Sequence, residues 1–406
     1  MSTLAAVPQK TKSPFRGHVP ALDGVRGVAI GLVLLVHFIG DVPAQANDKL
    51  ESLVFQAATY GSFGVDLFFV LSGFLITGIL FDAKSDPHYF KNFYMRRLLR
   101  IFPLYYGVLA VIFLGLRWIP FFQGPEMTEM VKQQGWAWAY AINIHIAREG
   151  TWSLPYISHF WSLAVEEHFY FLWPLVVWLC SRPALMRICK VVIVAALALR
   201  MAMYFNGVNA LAIYTLTPCR FDALCLGGLM AITVRGEGEP EKWVKWLRGL
   251  GWKLAIPSAL FIVVTFAINS RTTFAWEILR PLRESCWTFC FGALIAFAVT
   301  APAGTLVGRV FSSRALTFLG KYSYGLYVFH QFIAQWLLKK DTLNDWFGFL
   351  HSHRLAVIVQ AALGITVSIA VALISYNFFE KRFLTLKVKY EAKPKVDPTQ
   401  GSSSPA

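Results

Sequence analysis

Residues 22–38 read LDGVRGVAIGLVLLVHF, an apolar run with Arg26 near one end and His37 well inside it. At 100° per residue the two positions turn through about 1100°, which leaves them about 20° from the same helix face. A rise of roughly 1.5 Å per residue separates them by about 16 Å along the axis. If Arg26 stands near one bilayer surface, His37 lies about halfway through a hydrocarbon core of roughly 30 Å. Asp23, three residues before Arg26, carries the stripe toward the surface. Ionisable groups at that depth are costly and face a protein interior or a wet cavity, so the run reads as a membrane-spanning helix that bears part of a site. The alternative is a neutral His37 hydrogen-bonded to a neighbouring helix.

Composition extends this reading to the whole chain. Of 406 residues, 56% are hydrophobic and 15% charged, against about 25% charged in soluble domains. Mean hydropathy is +0.51, and several runs exceed the roughly 18 apolar residues that span a bilayer. The fold class expected is all-α, a polytopic membrane protein. The net charge of +15 does not indicate nucleic acid, because the basic residues cluster in short loops and form no groove with interleaved aromatics. The six cysteines fall mostly in apolar segments without a CxxC pair, which predicts buried free thiols. His351 and His353 flank Ser352 without further ligands in view, so no metal is expected.

Residues 1–21 are polar and basic at their start and read as a disordered cytoplasmic lead-in, 22–386 as one transmembrane domain, and 387–406 as a disordered cytoplasmic tail. With no small-residue cleavage site after it, the first apolar run is expected to be a retained helix. About ten spans follow, near 24–40, 62–81, 101–119, 160–180, 187–206, 215–234, 251–269, 284–301, 317–338 and 355–378. Lys and Arg concentrate in alternate loops (Lys84 to Arg100, Arg182 to Lys190, Arg235 to Lys253, Arg309 to Lys321) and beyond the last span. That bias places both termini in the cytoplasm. The loop 120–159, rich in interfacial aromatics, either lies on the outer surface or dips inward.

Four further stretches carry polar groups into the spans. In GSFGVDLFFVLSGFLIT (61–77), Asp66 has no sequence-local partner, and Ser72-Gly73-Phe74 interrupts a bulky helix. Small residues there let a neighbouring helix or a thin ligand chain approach the backbone. In FYMRRLLRIFP (93–103), Arg97 and Arg100 project from nearly one helix face. Such a pair suits a phosphorylated ligand, through forked guanidinium hydrogen bonds, or else an anionic lipid surface. In FWSLAVEEHFYFLWP (160–174), Glu166 and Glu167 project about 100° apart, so they serve different partners. At least one is expected to face the site, where it can orient a histidine such as His37; a structural salt bridge is the alternative. The fourth group is scattered: Arg220 and Asp222, which are close enough in sequence to pair, then Ser323, Tyr327 and His330, and Glu380.

These stretches, taken together, resemble acyltransferase family 3, the bacterial integral-membrane O-acyltransferases of surface polysaccharides and related acceptors. LDGVRG with Arg26 and His37 is similar to the family's Arg-ten-His element, and DLFFVLSGFLIT to its second-helix element. RRLLRIFP is similar to its Arg-x-x-Arg element and FWSLAVEEHFY to its Ser-Leu-x-Val-Glu-Glu element. RFDALCLGGLMA, LGKYSYGLYVFH and NFFEKR follow in the expected order. Two features depart from the pattern: His168 stands where glutamine is common, and no hydrolase-like domain follows the last span within these residues.

The resemblance implies a donor, acyl-CoA and most simply acetyl-CoA, that approaches from the cytoplasm as a co-substrate without a permanently bound cofactor. It implies Arg26, Arg97, Arg100 and Ser72 as donor-binding residues. His37 is implied as general base on an acceptor hydroxyl, supported by Glu167 or Glu166. The acceptor it implies is a cell-surface or lipid-linked glycan, with a small molecule such as a macrolide or sugar intermediate as the alternative. The setting implied is the bacterial cytoplasmic membrane. A transporter or flippase that uses buried charge for ion coupling is the reading from another class.

Overall fold

The computed structural model describes residues 19–43, 48–119, 123–235, 239–269, 273–339 and 346–390, without the side chains of 268–269 and 273–278. Most of the expected lead-in and tail lies outside these residues. Among the described residues there is no strand, and the chain is an all-α membrane protein. Helix α1 (Pro20–Leu35) starts with proline in its first turn, where the missing N–H costs nothing, and runs on through a π turn, Val36–Gly40. Then come α2 (Lys49–Thr59), α3 (Gly64–Asp82) and α4 (Tyr89–Ala110), the last with its own π turn at Val111–Gly115. The turn before α4 is held by Asp86, which accepts from the His88 N–H (2.8 Å) and the Asn92 amide (2.9 Å). These donors keep its carboxyl below the usual range.

Two short helices, α5 (Pro125–Trp138) and α6 (Ile142–Glu149), precede α7 (Trp161–Leu179). They are followed by α8 (Arg182–Phe205), α9 (Ala210–Thr215), α10 (Phe221–Thr233), α11 (Pro240–Asn269) and α12 (Thr273–Thr300). The chain closes with α13 (Leu306–Phe311), α14 (Arg314–Lys321), α15 (Ser323–Lys339), α16 (His353–Ser375), a third π turn (Tyr376–Glu380) and α17 (Lys381–Lys387). By length and composition, seven helical stretches can cross a membrane: 20–40, 49–82, 89–118, 182–205, 240–267, 279–300 and 353–390. Helices α7, α10 and α15 occupy the positions of the other three spans expected from sequence.

Glycine sets how closely the central helices meet. A Cβ built on Gly73 of α3 would stand 1.9 Å from the Leu224 carbonyl oxygen of α10, and one on Gly227 of α10 would stand 1.9 Å from that of Val70. Gly24 and Gly27 of α1 meet the backbone of α13 and α14 in the same way. Small residues thus bring helix backbones into direct contact. Gly227→Val should cost about 1–3 kcal/mol by overpacking and lower the melting temperature of the detergent-purified protein by several degrees; an unchanged midpoint would contradict this packing.

Tyrosines tie α4 to its neighbours. Tyr89 and Tyr94 donate to the Pro174 and Phe171 carbonyls of α7 (3.0 and 2.9 Å), and Tyr105 donates to Ala137 of α5 (2.7 Å). The loop at 120–159, where described, folds inward: Asn143 donates to Thr217 Oγ1 (2.9 Å) and the Tyr156 N–H to Gln335 Oε1 (2.7 Å).

Arg220 and Asp222 do not pair with each other. Arg220 bonds Asp66 of α3 (3.2 Å) and approaches Glu284 of α12 (3.6 Å), while Asp222 takes Arg200 of α8 (2.6 Å). Two residues apart on a turn leading into a helix, their side chains point to different neighbours. The six cysteines are free thiols, and His353 is paired with Glu51 at 2.8 Å.

Candidate active site

Helices α1, α3, α4, α7 and α15 enclose a cavity of about 360 Å³. Arg26, Arg97 and Arg100 cluster on its wall, which also includes Lys387 of α17. Arg26 is held by Asp23, one helical turn earlier, at 2.6 Å. The Arg97 guanidinium lies 5.5 Å from the Tyr170 ring centroid and 5.9 Å from that of Phe93. Aromatic faces of this kind steady a cation without consuming its hydrogen-bond donors. The Arg-x-x-Arg pair therefore faces inward, not outward to lipid. A second cavity, about 230 Å³, adjoins the first at Asp23, Arg26, Arg100 and Tyr324 and extends to Lys321 and Glu380.

Further in, Ser72 of α3 meets Tyr170 of α7, their hydroxyls 2.6 Å apart. Glu166 reaches both hydroxyls and faces Arg97 and Arg100. Glu167 also lines the cavity, but its neighbours are Tyr105, Tyr140 and Tyr324. The two carboxylates face different hydroxyls, as their 100° offset requires, and both lie in the field of Arg97. Glu166→Gln should accordingly cut activity far more than Glu167→Gln; equal losses in the two variants would make both structural. His168, the departure from the family pattern, turns elsewhere, with Nδ1 2.7 Å from Thr217 Oγ1.

Toward the other end of α7 the cavity wall includes Ser162 and Tyr327, whose oxygens are 2.6 Å apart. Tyr327 donates to the His159 carbonyl at 2.7 Å. The His159 ring stands 5.2 Å from that of His330, which stands 5.1 Å from that of His37. His37 is not among the residues lining the cavity; it lies beyond this tyrosine and histidine layer. Its side chain is 24% exposed and that of its partner Asp41 43%, so this end of the layer opens to the surface. Asp41 Oδ2 is 2.8 Å from His37 Nδ1. The carboxylate that orients His37 is therefore Asp41, not Glu166 or Glu167 as the sequence reading expected. The π turn accounts for the contact: the Asp41 N–H bonds the Val36 carbonyl five residues back, and the widened turn sets His37 and Asp41 side by side.

The structure thus gathers Arg26, Arg97, Arg100, Ser72, Glu166 and Glu167 around one cavity and sets His37 apart with Asp41. Four residues escaped the sequence reading. Asp41 lies one turn after His37, and Ser162 and Tyr170 lie four residues before and after Glu166, so all three were visible as i±4 neighbours. His159 sits just ahead of α7 and gave no periodic signal.

A family model described as an acyltransferase domain matches residues 19–377. A protein of Staphylococcus aureus (strain COL), provisionally named an O-acetyltransferase, is 26% identical over 393 residues, covering 92% of this chain and 58% of the relative. The peptidoglycan O-acetyltransferase OatA of Listeria monocytogenes serovar 1/2a (strain ATCC BAA-679 / EGD-e) is 25% identical over 391 residues, covering 92% of this chain and 57% of the relative. The chain thus spans less than two thirds of the length of the relatives it matches. No solved structure matches it. With that domain across nearly its whole length, and residues of several of the family's motifs lining one cavity, the chain belongs to acyltransferase family 3.

Proposed function

We propose that this chain is a membrane O-acyltransferase that moves an acyl group, most simply acetyl, from acyl-CoA to a hydroxyl of a cell-surface or lipid-linked glycan. The observation that carries the reading is a cavity lined by three arginines and a hydroxyl and histidine layer leading from its wall to His37. Arg26, Arg97 and Arg100 suit the phosphates of the coenzyme, since guanidinium forks match phosphate oxygens. Ser72, Tyr170 and Glu166 would flank the pantetheine chain on its way inward.

With Asp41 accepting the Nδ1–H of His37, the lone pair is left on Nε2. Nε2 takes the proton of the acceptor hydroxyl as its oxygen attacks the thioester carbonyl. The carbon–sulfur bond breaks, and the departing thiolate recovers the proton from the imidazolium. The bacterial cytoplasmic membrane is where such a donor and acceptor meet. Transport alone would give Arg97 and Arg100 no ligand, so acyl transfer is favoured.

The test is turnover of radiolabelled acetyl-CoA by the purified protein in detergent. Label released to water or passed to an added glycan is the expected result. No turnover, together with no binding across a panel of acyl-CoAs, would overturn the donor assignment.

A further inference from the structure

His330 is fully buried. Its Nδ1 lies 2.7 Å from the Tyr327 carbonyl and 3.1 Å from that of Leu326, both on its own helix. Carbonyl oxygens only accept, so Nδ1 carries the proton and Nε2 a lone pair. Anchored by its δ edge to α15, the ring stands 5.1 Å from that of His37 and 5.2 Å from that of His159, centroid to centroid. Nε2 has no partner among the described residues. His159 repeats the arrangement in reverse: Nε2 donates to the Val328 carbonyl at 3.3 Å, and the buried Nδ1 lone pair is likewise unpartnered.

Two buried imidazole acceptors with fixed tautomers therefore stand beside the ring read as the base. A buried acceptor left without a donor is unfavourable, and native interiors rarely leave one so. Among the described residues no three His, Cys, Asp or Glu side chains are placed to hold a metal together, which points to a hydrogen-bond donor as the missing partner. We propose that His330 Nε2 and His159 Nδ1 form a hydroxyl-binding subsite, which holds a second O–H of the acceptor while His37 takes the proton of the first. The acceptor is then a polyol with neighbouring hydroxyls, not an isolated alcohol, and His330 is a specificity-determining residue. This rests on the acyl-transfer reading of His37.

A site built to bond a substrate hydroxyl discriminates strongly against an analogue that lacks it. The test compares 1,2-propanediol with 1-propanol as acetyl acceptors, using radiolabelled acetyl-CoA and the full-length protein in detergent. Wild type should favour the diol by about tenfold or more in kcat/KM, and His330→Phe should bring the ratio to within about twofold of unity. The ratio does not depend on how much of the variant is folded, and His159→Phe should move it in the same direction. A wild type indifferent to the second hydroxyl, or variants that keep its preference, would overturn the proposal. In parallel, the His330 Nε2 resonance of 15N-histidine-labelled protein, identified by its loss in His330→Phe, should shift on titration with the diol and not with propanol. If wild type neither binds nor turns over any acyl-CoA, the acyl-transfer reading falls, and this titration decides the subsite by itself.

Discussion

His37→Ala is expected to lower acyl transfer by two to four orders of magnitude, the range of a general base lost from its site, while the protein still inserts and folds. Little packing is at risk. The side chain is partly exposed, sits in a π turn at the end of α1, and among the described residues makes one side-chain hydrogen bond, to Asp41. Radiolabelled acetyl-CoA turnover measured beside size-exclusion behaviour separates loss of chemistry from loss of fold. Asp41→Asn should follow in the same direction with a smaller effect, because an amide can present its N–H to Nδ1 and turn the imidazole to the wrong tautomer. Retained turnover in His37→Ala would remove this residue from the role of base.

The second large effect is expected on binding. Arg97→Ala combined with Arg100→Ala should weaken acyl-CoA by on the order of a hundredfold or more, since each hydrogen bond to a charged group contributes about 1.5–3 kcal/mol. The change should appear in donor affinity and leave acceptor affinity nearly unaltered. Both guanidiniums line the cavity and neither forms an ion pair among the described residues, so their donors are available to a ligand. Titration of the variant with acetyl-CoA, and with a fragment that lacks the 3′-phosphate, gives the answer directly. Unchanged donor affinity would remove the pair from donor binding.

Much of the site was legible because helical spacing is arithmetic. Arg26 on the stripe that α1 turns inward, Arg97 with Arg100, and the divergence of Glu166 from Glu167 all follow from 100° per residue, and the cavity uses each of them, whereas His37 stands apart with Asp41. What escaped depended on departures from that arithmetic or on contacts distant in sequence. Asp41 stood at the ordinary i+4 spacing from His37, and only the π turn that holds the pair leaves no trace in hydropathy. His159 and His330 meet across 171 positions of chain. Arg220 looked like a partner for Asp222, yet it reaches across the bundle to Asp66; buried charges choose partners by geometry, not proximity in sequence.

The glycine contacts have a mechanical consequence. Where α1 meets α14 and α3 meets α10, backbone touches backbone, and no side chain is available to change rotamer and let the helices slide. Arg26, Ser72 and the α1 end of the histidine layer therefore ride on a stiff frame. Helix α4 is built differently: it is held by tyrosine hydroxyls, interrupted by Pro103 and a π turn, and its Gly107 meets only the Phe379 side chain. Compliance is concentrated in this one wall, the wall that carries Arg97 and Arg100. The cavity can thus change shape by moving Arg97 and Arg100, while the frame that bears Arg26 and Ser72 keeps its form.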